Sequence, residues 1–203
     1  MARIILVRHG QTEWNRVERF RGQADVPLNA TGLAQAQATG RRVAATWEPV
    51  AVYASPLSRA VQTAQAIAQH FDLTVQPQAG LMDIDYGKWR GLTPAEVSKG
   101  WPDVFYAWQH APHTAQIPDG ETLAHLRTRG MATVHQLVER HAGQTFVIVG
   151  HTVINRVLLL AMLGLGNDRF WHLGQQTCAI NIIEARDGDF TLVSLNDTCH
   201  LSN

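Results

Sequence analysis

The stretch that decides the fold reads Leu6-Val7-Arg8-His9-Gly10-Gln11-Thr12-Glu13-Trp14-Asn15. The apolar run from Ile4 to Val7 reads as a buried strand, which puts Arg8 and His9 at its carboxyl end, where ligands bind in open α/β sheets. A guanidinium in that place can hold an oxyanion in bidentate fashion. The neutral imidazole beside it can attack phosphorus as a nucleophile. Taken alone, the pair fits a tied-down loop equally well.

Three more segments carry the same kind of chemistry. They are Ser55-Pro56-Leu57-Ser58-Arg59-Ala60, then Leu81-Met82-Asp83-Ile84-Asp85-Tyr86-Gly87-Lys88-Trp89-Arg90-Gly91, then Val147-Ile148-Val149-Gly150-His151-Thr152. The first and third begin after strand-like apolar runs, Val50 to Ala54 and Thr145 to Val149, and lead into helical patterns. Together the four segments resemble the histidine phosphatase superfamily, the phosphoglycerate-mutase-like enzymes, from Ile4 to about Leu201. Within it, Gly87-Lys88-Trp89-Arg90-Gly91 is similar to the phosphatase branch that includes α-ribazole and broad-specificity phosphatases.

The chain of 203 residues suits one well-buried domain, 1–203, with no Pro/Gly/Ser-rich linker or internal repeat. Strand-like runs lie near Arg3 to Val7, Val50 to Ala54, Thr74 to Gln76, Thr145 to Val149, Cys178 to Glu184 and Phe190 to Leu195. Helical patterns cover Ala30 to Trp47, Leu57 to His70, Glu121 to His141 and Val153 to Leu163. This alternation predicts a three-layer α/β fold, a mostly parallel mixed sheet with helices on both faces. Asp187-Gly188 predicts a type I′ hairpin between the last two strands. A segment at about 85–120 occupies the family's variable cap region, and its aromatics, Trp101 to Trp108, are expected to pack a small cap core.

Seventeen basic and seventeen acidic side chains balance, which argues against nucleic acid as a partner and makes any anion site local. The apolar run before Arg8 is too short for a membrane span or a signal peptide, so no membrane association and a cytoplasmic setting are expected. Cys178 and Cys199 are then free thiols. The expected partner is a small phosphorylated metabolite, and a homodimer is left open.

The resemblance implies a role for each residue. His9 matches the phosphorylated nucleophile, and Arg8, Asn15, Arg59, His151 and Thr152 the phosphate site; Thr152 stands where the family usually has glycine. Gln23 matches a position facing substrate. Gln11 and Thr12 either line the pocket or, for Thr12, cap the turn holding Trp14. Asp83 takes the general acid's place, usually a glutamate, with Asp85 as runner-up. Arg41 and Arg42 read as surface charges, and Lys88 and Arg90 as either solvated or selecting a substrate with extra negative charge. No metal or other cofactor is implied, because guanidiniums and imidazole neutralise the phosphoryl charge, and the ten histidines show no metal-ligand spacing. The expected activity is phosphomonoester hydrolysis through a phosphohistidine. Cofactor-dependent phosphoglycerate mutase, or a catalytically weak phospho-ligand binder, is the alternative.

Overall fold

The computed structural model describes residues 1–201. Six strands form one sheet: β1 (Ala2–Arg8), β2 (Val52–Ala54), β3 (Val75–Pro77), β4 (Thr145–Gly150), β5 (Ile180–Arg186) and β6 (Asp189–Asp197), in the order β3-β2-β4-β1-β5-β6. The first four in that order run parallel; β5 is antiparallel to β1, and β6 to β5. The expected mixed sheet is therefore present. Pro77 ends the edge strand β3, where a missing amide proton costs no ladder bond. Between β5 and β6, Asp187 and Gly188 take φ of 52° and 91°, the pair of positive values that a type I′ turn requires.

Seven α-helices surround the sheet: α1 (Glu13–Arg16), α2 (Ala30–Thr46), α3 (Ser58–Ala68), α4 (Pro94–Gly100), α5 (Pro102–His110), α6 (Leu123–Arg140) and α7 (Thr152–Met162). Period-two alternation splits the strands between two cores. Ile5, Val7, Val52, Ala54, Val147 and Val149 face Val43 of α2 and Ala60, Ala64 and Ile67 of α3. Ile4, Leu6, Tyr53, Phe146 and Ile148 face α6 and α7, through Leu126, Val134, Ile154, Val157 and Leu158. Each fully buried aliphatic chain of this kind contributes about 1.5–3 kcal/mol, so the register of both faces is strongly fixed.

The short helices of the cap, α4 and α5, escape helical periodicity because each is only two or three turns long. Their signals are local. Thr93 and Glu96 form a reciprocal capping box with Pro94 between them, and Pro102 opens α5. The aromatics of this segment do not form a core of their own: Trp89 packs on Trp108 and Trp108 on Phe170 within the same core that covers the α6/α7 face of the sheet. Tyr106 is left outside, stacked on His110.

Candidate active site

The register of β1 against β4 makes the site. Arg8 pairs with Gly150, so the next residues, His9 and His151, emerge side by side at adjacent strand tips. The His9 amide donates to the Gly150 carbonyl at 3.0 Å, and the two imidazoles lie edge to face with centroids 5.0 Å apart. On the far side of β4, Ala54 pairs with Val149; the chain then turns through Ser55 into α3, which brings in Arg59.

Hydrogen bonds set the tautomer of both rings. Nδ1 of His9 lies 2.6 Å from the Gly10 carbonyl, which can only accept, so the proton sits on Nδ1 and the lone pair on Nε2 is free. Nδ1 of His151 accepts from Nε of Arg59 at 3.1 Å, so its proton is on Nε2, an atom buried without a partner among the described residues. Burial first, then the field of His151, Arg59 and Arg8, holds His9 well below the ordinary imidazole value of 6.5. Burial and the arginines act likewise on His151. Both rings are neutral.

Arg8 and Thr152 line a cavity of about 500 Å³, and each presents a buried polar atom without a partner among the described residues, Nε of Arg8 and Oγ1 of Thr152. An orphaned buried donor costs about 1–3 kcal/mol until something accepts from it. Arg8 is anchored by its Nη1, which donates to the Gln175 carbonyl; burial, followed by repulsion from Arg21, lowers its pKa to about 9, so it remains cationic at neutral pH. Thr152 is the first residue of α7, where helix amides and the dipole favour an anion.

Arg59 is fully buried and already holds three partners: His151, the Ala24 carbonyl at 2.6 Å and the Gly22 carbonyl at 2.7 Å. Two of its five N–H groups remain for an anion. Its first task is structural, since it staples the 22–24 loop to the strand tips.

Asp83 lines the same cavity and is 5% exposed. Burial raises its pKa against the opposing pull of Arg59 and Arg21, and Oδ1 lies 3.4 Å from the Ile154 amide in the first turn of α7. Asp85 is placed differently. Burial would lift it too, but the Gly87 amide and Arg90 donate hydrogen bonds to its carboxylate and its pKa is lowered. It fixes the loop.

Several expected site residues turn elsewhere. Gln11 points toward α2, where its Oε1 accepts from Asn29, and it does not line the cavity. Thr12 is the N-cap of α1, its amide and hydroxyl both donating to Oδ1 of Asn15 at 2.9 Å; the capping role is the one it takes. That leaves Asn15 only its amide NH₂ to offer. Gln23 donates to the backbone carbonyl of Asp83 at 3.3 Å. Lys88 pairs with Asp119 and Arg90 with Asp85, both at the surface, so neither is a cavity cation. Arg41 and Arg42 are exposed, as expected.

The cavity has other cations instead. Arg21 and Arg156 line it, and neither makes an ion pair among the described residues. Nε of Arg156 donates to the Leu173 carbonyl, and its guanidinium lies 5.1 Å from the rings of both Phe170 and Trp171. Arg21 carries no signal in the sequence, since it is one of several arginines in the irregular segment after α1. Arg156 is four residues after Thr152 on α7, one helical turn, and that spacing is the available signal.

A buried neutral histidine with a free nitrogen at a strand tip, in the field of Arg59, Arg8 and Arg21 and next in sequence to a cavity-lining arginine that shares its cavity with the buried Asp83, fits an α/β phosphoryl-transfer enzyme. Residues 4–198 match the model of the histidine phosphatase superfamily (branch 1), and the chain belongs to that family. It is 34% identical to phosphoserine phosphatase 1 of Hydrogenobacter thermophilus, over 99% of this chain and 95% of that one. With the metal-independent phosphoserine phosphatase of Arabidopsis thaliana it shares 32%, over 98% and 83% of the two chains. The solved structure of Bacillus stearothermophilus YhfR superposes with a TM-score of 0.95 at 30% identity and full coverage of both chains. By family and by site the protein is a phosphoric monoester hydrolase.

Proposed function

We propose that this protein hydrolyses the phosphate ester of a small metabolite in two steps through a phosphohistidine at His9. The observation that carries the reading is the His9 ring, buried and neutral, its Nδ1 proton held by Gly10 and its Nε2 lone pair free. In the first step Nε2 attacks phosphorus, the ester P–O bond breaks, and the leaving oxygen takes the proton of Asp83. In the second, the Asp83 carboxylate takes a proton from water, the hydroxide attacks phosphorus and the P–N bond breaks, restoring His9 and releasing inorganic phosphate. Covalent catalysis divides one hard displacement into two.

Arg8, Nε2–H of His151, Oγ1 of Thr152 and the remaining N–H groups of Arg59 hold the phosphoryl oxygens, with the Asn15 amide as a further donor. Such preorganised donors need no metal to neutralise the developing charge. Burial keeps Asp83 protonated above the range of an ordinary carboxyl, which a general acid requires.

The substrate carries a second anionic group. Phosphoryl charge satisfies Arg8 and Arg59; Asp83 is neutral in its acid form; Arg19, which also lines the cavity, pairs with Glu96 at 3.8 Å; Arg21 and Arg156 are left with Glu18 as the one other carboxylate of the lining. A single carboxylate balances that excess. The phosphoserine phosphatases among its relatives act, by their names, on such a molecule. Two unpaired cysteines, Cys178 buried and Cys199 exposed, fit a reducing cytoplasm, and no helix among the described residues is long and apolar enough to cross a membrane.

The test is phosphate release from O-phosphoserine and p-nitrophenyl phosphate in excess chelator, with His9→Ala beside the wild type. Turnover in the wild type, a base-stable and acid-labile phosphoryl adduct, and a loss of several orders of magnitude in His9→Ala are expected. Substantial activity in His9→Ala excludes the covalent path.

A further inference from the structure

Asp83 sits in a segment, Gly80 to Asp85, with no regular strand or helix beyond a single 3₁₀ turn ending at Leu81. A proton donor in an irregular loop is useful only if the loop is held. Here it is held from α6. Nη1 of Arg129 donates to the Gly80 and Met82 carbonyls at 3.0 and 2.8 Å, and Nη2 to the Asp83 carbonyl at 2.9 Å. The rest of the guanidinium is occupied by Glu121: Nε to Oε1 at 2.8 Å and Nη2 to Oε2 at 2.9 Å. All five N–H groups of Arg129 are thereby satisfied, three on the acid's own loop and two on the carboxylate that orients the fork.

Glu121 also holds the far side of the loop, its amide donating to the Asp85 carbonyl at 2.8 Å and its Oε2 lying 3.4 Å from the Asp85 amide. The approach is close. A Cβ at Gly80 would come within 1.9 Å of Oγ1 of Thr133 on α6. Gln23 donates to the Asp83 carbonyl from the other direction, so the peptide that carries the acid is fixed on both sides.

We infer that Arg129, oriented by Glu121, is the positioning residue for the general acid: the pair fixes the Asp83 peptide so that its carboxyl faces the leaving oxygen. The inference rests on the assignment of Asp83 as proton donor. It is a statement about geometry, since the guanidinium touches the acid's backbone and not its carboxyl. A lysine cannot replace it, because one ammonium cannot reach three carbonyls and a bidentate carboxylate together.

A displaced acid harms poor leaving groups and spares good ones, whereas a merely loosened fold harms both alike. The experiment therefore compares kcat on O-phosphoserine and on p-nitrophenyl phosphate for Asp83→Asn, Arg129→Lys, Arg129→Ala, Glu121→Gln and the double variant Asp83→Asn/Arg129→Ala, normalised to folded protein. Arg129→Lys and Glu121→Gln are included because they keep most of the packing if the alanine variant does not fold. The expected result is a loss on the alkyl ester roughly tenfold or more greater than on the aryl ester for Asp83→Asn and for each clamp variant, with the double variant no worse than Asp83→Asn alone, as for residues acting as one unit. Selectivity in Asp83→Asn but equal losses on both esters in every clamp variant, or multiplicative losses in the double variant, overturns the positioning role and leaves the acid standing. No selectivity in Asp83→Asn overturns the acid assignment and the clamp with it.

Discussion

Nε of Arg59 donates to Nδ1 of His151 at 3.1 Å, and this one bond decides which nitrogen of His151 carries the proton. An arginine cannot accept, so the His151 proton is committed to Nε2. Lysine in its place keeps charge but loses the fork that also holds the Gly22 and Ala24 carbonyls.

Arg59→Lys is accordingly expected to lower kcat/KM by about 2–4 kcal/mol of transition-state stabilisation, the scale of losing a preorganised donor. It also costs stability. A buried guanidinium with three partners leaves three acceptors unsatisfied when removed, so the melting temperature falls along with activity, further for Arg59→Ala. Arg8→Ala, with one protein partner lost, should show the kinetic loss with a smaller change in melting. Steady-state kinetics and thermal melts of the same preparations separate the two effects, and an unchanged melting temperature in Arg59→Ala would contradict the stapling role.

Thr152 stands where the family usually has glycine and presents a buried hydroxyl without a partner among the described residues. If that hydroxyl donates to the phosphoryl group, Thr152→Ala lowers kcat/KM roughly tenfold or more, the range for a hydrogen bond to a charged group, while Thr152→Ser stays near wild type. Equal values for alanine and threonine would show that the hydroxyl is a passive part of the wall.

The pH dependence follows from two opposed shifts. His9 is held below 6.5, so the nucleophile stays unprotonated and active into acid solution; Asp83 is held above 3.8, so the acid stays protonated to higher pH than an ordinary carboxyl. The kcat/KM profile on an alkyl phosphate is expected to show an acid limb below 6.5, and an alkaline limb that disappears in Asp83→Asn. Stability has its own sign. The folded state binds fewer protons at His9 and His151 than the unfolded chain, so their contribution is full above 6.5 and is lost as pH falls through and below it. Asp83 acts the other way, since its raised folded value weakens stability as pH climbs past 3.8. Chemical denaturation at several pH values from about 4 to 7 reads the sum of the two opposed effects, and replacing His151 with asparagine removes its share of the histidine part.

The sheet and its two histidines were legible because strand periodicity fixes where Arg8 and His151 emerge, and parallel register then sets them side by side. Helices α2, α3 and α6 were legible from a one-sided apolar pattern, and α7 from a nearly continuous apolar run that the fold buries on all sides. What sequence pattern did not reveal is the direction of side chains in irregular segments. Gln11 turns to Asn29 and Thr12 to Asn15 because a local amide or carboxamide partner lies nearer than the cavity, and no periodicity records that choice. Of the two readings for Lys88 and Arg90, adjacent to the acid in sequence, the solvated one holds: Asp119 and Asp85 neutralise them at the surface. Of the cations that line the cavity, Arg21 and Arg156 come from distant parts of the chain and are brought together only by the fold.

Arg156 gives the sharpest test of what the cavity accepts. Its guanidinium is flanked by Phe170 and Trp171, one N–H is spent on the Leu173 carbonyl, and the remaining four have no carboxylate among the described residues. Burial lowers its pKa, so an anion brought into the cavity relieves a real cost. Two esters of the same length isolate the effect: 3-phosphoglycerate has a carboxylate where glycerol 3-phosphate has a hydroxymethyl group. Wild-type kcat/KM should favour the carboxylate by roughly 10- to 100-fold, the scale of a charged hydrogen bond of about 1.5–3 kcal/mol. In Arg156→Met most of that preference is lost, with the change falling mainly in KM, since the contact is equal in ground and transition states. Calorimetric binding of the two esters to His9→Ala reads the same preference without turnover. A wild type indifferent to the carboxylate, or a preference intact in both Arg156→Met and Arg21→Met, would remove the second anion from the description of the substrate.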